Sequence, residues 1–509
     1  MARTTELRLS MVALYKRRFD SGILGTLLVI LISCGFLLGL EFSGLELKWL
    51  VYILASVIIG VAIVVSGYLT TALLVFFVLG LQAHVSLYLT EPERLSVGVS
   101  GPTALALRLV TVPAVCLVLR YAAESLRHDG WRFFWGREIT LPALAVFATT
   151  AMTGLYTPER SLVVYALIDM MQLYCLFLAG LNMVRTSDDM RLVMRLLMLT
   201  LAIQAVIYFV QNAAGFTFDL LGQTTARGDE VLQRHGGTVS HNVKGYANFI
   251  LPLLLLAVSR FLTLSNPRAW SWALLLCGLG SMALILTFTR ASWAGFILGV
   301  GWIIVAGWQR RLLHPRRLLM LGAVALLAAM ILLPKIMLRL SEDHVAAYGE
   351  RAALMRMAWN VIESHPLLGV GSGAYGYVFR DYLSAEDRMA ATWEKRWLYI
   401  VHNTYLVRWA ETGIFGLASL LLLLGVGLWQ AVVCSRSLDE NLASFAVGWG
   451  AGLLALMWEM CWDLSLGPQT QCVLWFAFGL TLAAKRIGEP EAMQAWRRQA
   501  EPSVYEERL

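Results

Sequence analysis

Long apolar runs separated by short polar stretches dominate the hydropathy pattern of this sequence. Roughly fourteen runs approach the ~20 apolar residues that a membrane-spanning helix needs. These runs lie near 21–40, 49–66, 70–88, 101–121, 138–155, 161–183, 191–211, 245–263, 269–288, 291–308, 317–335, 403–433, 444–463 and 465–484. Because they fill most of the chain, the pattern predicts one integral membrane domain over residues 1–509, all-α, with about 12–14 transmembrane helices.

Composition agrees with a polytopic membrane protein and excludes an ordinary soluble domain. Hydrophobic residues make up 58% of the 509, charged residues only 15%, and the mean hydropathy is +0.65. The net charge of +7 is spread over basic connections between the apolar runs. No basic face with aromatic side chains accompanies it, so we expect no nucleic-acid partner and assign the bilayer as the surrounding medium.

The distribution of Lys and Arg predicts the orientation in the membrane. If the basic N-terminal segment is cytoplasmic, alternate connections on that side carry most of the positive charge, as the positive-inside rule requires. An even number of spans then leaves both termini in the cytoplasm, including the tail 485–509. We read the first apolar run as an uncleaved span, because no small-residue cleavage site follows it.

Two connections on the opposite, outer side are long, covering about residues 212–245 and 336–401. Such loops are where a site facing the exterior of the membrane would be built. Within the second loop, apolar residues recur at three and four positions from Leu354 to Ile362 and stop before Pro366. This spacing predicts a helix, so we expect a large, partly helical outer loop.

Two motifs in these loops suggest chemistry that the sequence does not support. Residues 369–376, GVGSGAYG, contain a formal GxGxxG, but no strand precedes it. A glycine turn that lets the backbone approach a ligand or pack against a helix is favoured over a dinucleotide site. His235, His241 and His402 could form a zinc site, yet no carboxylate triad or DxD motif accompanies them. We therefore expect neither metal nor cofactor.

Several cations instead cluster on the predicted outer face. Arg290 lies in the short turn TFTRAS between two apolar runs, Arg234 and Lys244 precede the run at 245–263, and Arg351 lies in the second outer loop. Taken singly, each cation is as compatible with a solvated or snorkelling side chain as with a ligand contact. Together they suit a lipid-linked phosphate or diphosphate, because a guanidinium donates to two phosphate oxygens in one plane.

Other charges within apolar runs have simpler interpretations. Arg408 and Glu411 are three residues apart on one predicted helix, a spacing that favours a structural ion pair. Arg108 and Asp169 look isolated, and no internal symmetry is evident. A transporter would require paired, broken spans with charges at the membrane midplane. Transport therefore stays a weaker alternative to an enzyme.

Four segments resemble those of a known family, and they occur along the chain in the order that the family has. HNTYLVRWAETGIFGL resembles the H-N-x-(Y/F)-L…E-x-G-x-x-G signature of the O-antigen ligase and O-antigen polymerase superfamily of bacterial envelope enzymes. HPLLGVGSGAYGYVF resembles its P-x-x-G-x-G segment, TFTRASWAGFILG its S-R-(G/A) span, and RHGGTVSHNVKGYANFILPLLL its entry to a span. The chain departs from the pattern at Thr289, where the family has Ser, and at SHNVKGYAN, where N-P-N is commoner.

The resemblance implies a metal-independent membrane glycosyltransferase of the GT-C type in the bacterial inner membrane. Its donor would be a glycan on undecaprenyl diphosphate at the periplasmic face. Its acceptor would be a lipid A-core sugar in a ligase, or another lipid-linked repeat in a polymerase, and we favour the ligase. Arg290 and Arg234 would hold the diphosphate, Arg351 and Lys244 could add contacts, and His402 would act as general base or as a further diphosphate contact.

Overall fold

The computed structural model describes most of the chain after residue 100. The described residues are 81, 86–90, 101–108, 110–127, 133–214, 219–220, 223–224, 237–240, 243–323, 326, 330, 333, 337, 345–383, 401–463 and 466–488. The predicted spans near 21–40 and 49–66 and most of that near 70–88 lie outside these residues. So do Arg234, His235 and His241.

The regular secondary structure of the described residues is helical apart from two very short strand pairs. The helices are α1 Thr111–Arg127, α2 Arg137–Thr153, α3 Arg160–Met183, α4 Ser187–Ala214, α5 Val243–Thr263, α6 Pro267–Leu286, α7 Arg290–Gln309, α8 Val345–Ser364, α9 Tyr375–Val378, α10 Thr404–Cys434, α11 Glu440–Glu459 and α12 Pro468–Ile487, with a 3₁₀ turn at Phe379–Tyr382. The strands are β1 Ser86–Tyr88 with β2 Ala106–Arg108, and β3 Asp219–Leu220 with β4 Gln223–Thr224, both pairs antiparallel.

Seven of the helices within the described ranges are long and apolar enough to cross a membrane, namely α3, α4, α5, α6, α7, α10 and α11. Each coincides with a run predicted from hydropathy, because unbroken apolar sequence in lipid can satisfy its backbone groups only as a helix. The prediction of an all-α polytopic membrane protein is therefore confirmed. So is the helix in the second outer loop, which forms α8 and ends at Ser364, two residues before Pro366.

The predicted span near 101–121 begins later than its hydropathy suggests. Residues 106–108 pair with 86–88 as a hairpin, and the helix starts only at Thr111. Arg108 is the physical reason. Its Nε and Nη2 donate to the two carboxylate oxygens of Asp169 at 2.8 and 2.7 Å, and its Nη1 donates to the Pro468 carbonyl. Arg108 and Asp169 are therefore partners, which corrects the reading of both as isolated charges.

Helix α5 is the centre of the bundle. It packs against α11 and α6, and α11 in turn packs against α7 and α10. Every side chain from Gly245 to Thr263 is buried, so α5 is surrounded by protein along nearly its whole length. Lys244 lies at one end of α5 and Arg260 near the other, about 24 Å apart at 1.5 Å per residue. We call these the His402 end and the Arg260 end of the bundle.

Candidate functional site

Ends of four described helices meet at the His402 end: the starts of α5, α7 and α10 and the end of α11. His402 immediately precedes α10. Asn403 caps that helix, its side chain accepting from the Leu406 N–H at 3.0 Å. Thr404 then ties α10 to the end of α11, since its N–H donates to the Met460 carbonyl at 2.8 Å and its hydroxyl to the Asp463 carbonyl at 2.9 Å. These contacts fix the position of His402.

The imidazole of His402 is half-buried, and its Nδ1 has no hydrogen-bond partner among the described residues. Burial lowers the pKa of His402 below its ordinary value, and the positive charges of Lys244 and Arg351 act in the same direction. The carboxylate of Asp463 opposes them and raises the pKa. The net lowering keeps the imidazole neutral near pH 7, so it can accept a proton.

Lys244 and Asp463 form a salt bridge beside His402. The Lys244 Nζ lies 3.2 Å from Asp463 Oδ1 and also donates to the Trp462 carbonyl. Asn248, one helical turn further along α5, donates to Asp463 Oδ2 at 3.0 Å. The contacts link α5 to the end of α11. Lys244 was predicted from sequence as a possible substrate contact, and the structure brings it close to His402.

Glu459, the last residue of α11, is the group at this end that sequence reasoning missed. It is 0% exposed, and neither carboxylate oxygen has a hydrogen-bond partner among the described residues. The hydroxyl of Ser292 lies close by without good hydrogen-bond geometry, and Lys244 and Asp463 are within electrostatic reach. Burying a carboxylate without partners is costly, so such a group points to a functional role. The signal available in sequence was an acid within the tryptophan-rich WEMCWD at the end of a span.

Arg290 is held by a short, rigid turn, as its sequence context predicts. Helix α6 ends at Leu286 and α7 begins at Arg290. Phe288 between them adopts a left-handed conformation with φ of 53°, which is strained for an aromatic residue. The Thr287 hydroxyl donates to the Leu284 carbonyl at 2.7 Å and also accepts from the Thr289 N–H. The turn is therefore fixed from both sides.

Helix α11 brings the turn of Arg290 and the start of α10 to one place. The Trp458 indole donates to the Ala291 carbonyl at 3.1 Å, one residue from Arg290. Two residues further along α11, the Met460 carbonyl accepts from Thr404. Arg290 and His402 thus flank the same helix end. Arg351 is exposed on α8 but still acts on His402 electrostatically.

The glycine-rich segment 369–376 docks onto a kink in α10, which confirms the expectation of a turn packed against a helix. Gly413 breaks the helix with φ 65° and ψ −173°. The Ile414 N–H, which would otherwise bond within the helix, donates instead to the Pro366 carbonyl at 2.9 Å. The carbonyls of Ala410 and Glu411 then accept from the loop, from the Val370 and Gly371 N–H groups at 2.9 and 2.8 Å. All these backbone groups are satisfied across the kink.

This docking explains the glycines of the E-x-G-x-x-G and P-x-x-G-x-G segments. A Cβ on Gly413 would lie 1.9 Å from the Leu367 carbonyl oxygen, and one on Gly369 would lie 2.4 Å from the Glu411 carbonyl carbon. Neither contact is tolerable. The two segments, about 45 residues apart, form one structural unit that fixes the predicted outer loop against α10.

Arg408 makes different contacts from those that its spacing from Glu411 suggests. Its Nη2 donates to the Thr150 hydroxyl at 2.8 Å and to the Val146 carbonyl at 3.3 Å, both on α2. Glu411 attracts it electrostatically. Arg408 therefore connects α10 to α2, and the pairing expected within one helix is only part of its environment.

The fold and the site define the class of this protein: it is a multi-pass, all-α membrane protein with a polar, cation-rich site at one end of its bundle. A comparison with protein families matches residues 273–421 to the family described as O-Antigen ligase. This segment contains Arg290, Arg351, the glycine loop and His402, and the match confirms the resemblance to the O-antigen ligase superfamily. A comparison with curated proteins found no match to the chain.

Proposed function

We propose that this protein transfers a glycan from undecaprenyl diphosphate to an acceptor hydroxyl at the His402 end of the bundle, without a metal. One observation carries the proposal: the half-buried imidazole of His402 lies within electrostatic reach of the cations Lys244 and Arg351, with Arg290 at the same helix end. The match of residues 273–421 to the O-Antigen ligase family supports this chemistry. So does the membrane setting, since a polyprenyl donor reaches the site from lipid.

The cations suit the departing diphosphate. When the bond between the anomeric carbon and the diphosphate oxygen breaks, the electron pair leaves with the diphosphate. Arg290 disperses the developing charge with two parallel N–H donors, and Arg234 is predicted to add a second guanidinium. Lys244 and Arg351 add positive charge nearby. In our proposal these side chains fill the role that a divalent cation fills in other transferases.

His402 suits the incoming acceptor. The acceptor hydroxyl is a weak nucleophile, and the imidazole takes its proton as the oxygen bonds to the anomeric carbon. A neutral histidine is required for this step, and its lowered pKa supplies it at pH 7. Glu459 and Ser292 are buried beside this position with unused acceptor and donor groups. They are suited to hydrogen-bond sugar hydroxyls once the site opens to substrate.

The acceptor distinguishes a ligase from a polymerase, and we favour the ligase with a lipid A-core sugar as acceptor. Glycan profiling of a gene deletion tests the choice. A ligase predicts loss of polymer from lipid A, with lipid-linked polymer accumulating. Single repeats remaining on lipid A would instead indicate a polymerase, and an unchanged profile would contradict both.

We further propose that the His402 end is periplasmic, with both termini cytoplasmic and a GT-C architecture. Arg380 is exposed in the docked outer loop and provides a position for labelling. Arg380→Cys, in a background lacking the native cysteines, should react with a membrane-impermeant maleimide added to cells. Reaction only after the cells are opened would contradict the orientation.

A further inference from the structure

A second charged feature lies at the Arg260 end, where α4, α5 and α6 converge. A cavity of about 540 Å³ opens there, lined by three arginines, Arg195, Arg260 and Arg268. An adjoining cleft shares Arg268 and Trp272 with it. The volume falls within the range of small-molecule sites in proteins.

Arg260 is the most informative member of this cavity. It is only 8% exposed, and its Nη1 has no hydrogen-bond partner among the described residues. Arg195 lies within electrostatic reach and repels it. Like charges brought together in a buried setting are costly unless an anion compensates them. The arrangement therefore indicates a missing negative group.

The acids among the described residues do not supply that group. Of the described residues that line the cavity, none is acidic. Glu440 is the carboxylate that acts on Arg260, and it already accepts from the Ser265 N–H at 3.1 Å and from the Ser265 hydroxyl. The cavity thus has three guanidiniums in its lining, and the carboxylate that acts on Arg260 is already engaged by Ser265. The start of α6 adds the positive end of its helix dipole to the same place.

Apart from Asn266, the remaining walls of the cavity are apolar. They include Met194, Met198, Leu199 and Leu276, beside Trp272, which is 67% exposed. An exposed tryptophan next to arginines at a helix end is typical of the membrane–water interface. A soluble anion would use the guanidiniums but not these walls. A lipid would use both.

We propose that this cavity binds an anionic phospholipid. Its phosphate accepts hydrogen bonds from Arg195, Arg260 and Arg268, and its acyl chains lie along the apolar walls between α4 and α6. Basic pockets between transmembrane helices bind anionic headgroups by the same combination of forces. The site is independent of glycan transfer, because it lies at the opposite end of α5 from His402.

The experiment uses purified full-length protein in nanodiscs of phosphatidylcholine with added phosphatidylglycerol, with bound lipid counted by native mass spectrometry. Arg195→Gln with Arg268→Gln removes two exposed cations, so folding is not at risk. We expect this double variant to lower the apparent affinity for phosphatidylglycerol by about tenfold or more, because charge-assisted hydrogen bonds to phosphate are lost. Arg260→Gln should have a similar effect where it folds.

Arg316 is the matched control. It is exposed near Arg317, whose side chain bonds the Phe261 carbonyl at this end of α5, and it does not line the cavity. Arg316→Gln should retain the lipid. Equal retention by the double variant and by the control overturns the proposal, as does equal binding of phosphatidylcholine. Full displacement by inorganic phosphate, or preference for undecaprenyl diphosphate, also overturns it.

Discussion

The two ends of α5 both collect cations, but they compensate them differently. At the His402 end, Lys244 is paired with Asp463 at 3.2 Å, and a buried carboxylate and an imidazole lie close by. At the Arg260 end, three arginines line an apolar cavity that contains no acid among its described residues. One end mixes acids, bases and cations, while the other offers positive charge and apolar surface.

This difference in charged and titratable groups indicates which function each end of α5 is suited to. Chemistry requires groups that exchange protons and hydrogen-bond a polar substrate, and those are His402, Glu459 and Ser292. Binding an anion requires only fixed positive charge, which the Arg260 end supplies. Cations by themselves therefore did not distinguish the end of the bundle that we propose as the reactive one. The neutral and acidic groups among them did.

Removing the imidazole should give the largest contrast between the two ends. His402→Ala is expected to lower glycan transfer by about 10²–10⁴-fold, because general-base catalysis is lost. His314→Ala, at the opposite end, loses a contact with the Leu262 carbonyl and should retain transfer. Both are measured as polymer attached in cells, with membrane insertion checked by immunoblot. Full transfer by the His402 variant would contradict the assignment.

Removing the guanidinium at the turn should have the next largest effect. Arg290→Ala is expected to reduce transfer by about 10²–10³-fold, since a donor to the leaving diphosphate is lost. Arg290→Lys should retain only part of the transfer activity, because an ammonium cannot donate in a planar fork. Arg310→Gln, at the other end of α7, is the control. Equal activity of Arg290→Ala and the control in a membrane assay would show that Arg290 has no such role.

Neutralising the buried carboxylate should separate function from stability. Glu459→Gln keeps the volume but removes a buried charge that has no hydrogen-bond partner among the described residues, so the thermal unfolding temperature should hold or rise. Transfer should fall by about tenfold, the value of one charge-assisted hydrogen bond of about 1.5 kcal/mol. A variant that unfolds earlier yet transfers normally would make Glu459 a structural residue.

Removing Lys244 should produce the smallest change, a shift in pH dependence. Its positive charge lowers the pKa of His402, so Lys244→Gln raises that pKa. As the pH falls, the imidazole of this variant becomes protonated at a higher pH than that of the unaltered protein. The acid limb of kcat/KM should therefore move to higher pH, and it should move less for Arg351→Gln, whose effect on His402 is weaker. A shift to lower pH would contradict the role of His402 as base.

The fold was largely predictable because each apolar run is a local property of the chain. Within the described residues, the seven helices long enough to cross a membrane follow the hydropathy pattern, and α8 follows the apolar spacing up to Pro366. The start of α1 was not predictable. Arg108 shifts it by bonding Asp169, which is 61 residues away, and no local pattern shows that partner.

The candidate site was predictable in part, because some of its residues are also recognisable from their local sequence. His402 and Arg290 stand out as charged or titratable groups at the edges of apolar runs. Glu459 did not, because an acid at the end of a span is most simply read as a solvated terminus. Glu459 is fully buried and Ser292 of α7 lies close to it, an arrangement that follows from how α7 packs against α11.

The sequence by itself determined that this protein is an all-α membrane protein, that it resembles the O-antigen ligase superfamily, and which cations lie near the predicted outer face. It did so because hydropathy and short motifs are read residue by residue. Only the tertiary structure decided that the glycine loop docks on the kink at Gly413 and that Lys244 and Arg351 lower the pKa of His402. It also decided that the buried carboxylate of Glu459 and the Nη1 of the buried Arg260 have no hydrogen-bond partner among the described residues. Burial and electrostatic neighbours depend on helices far apart in the chain, so they arise only when α5, α7, α10 and α11 pack together.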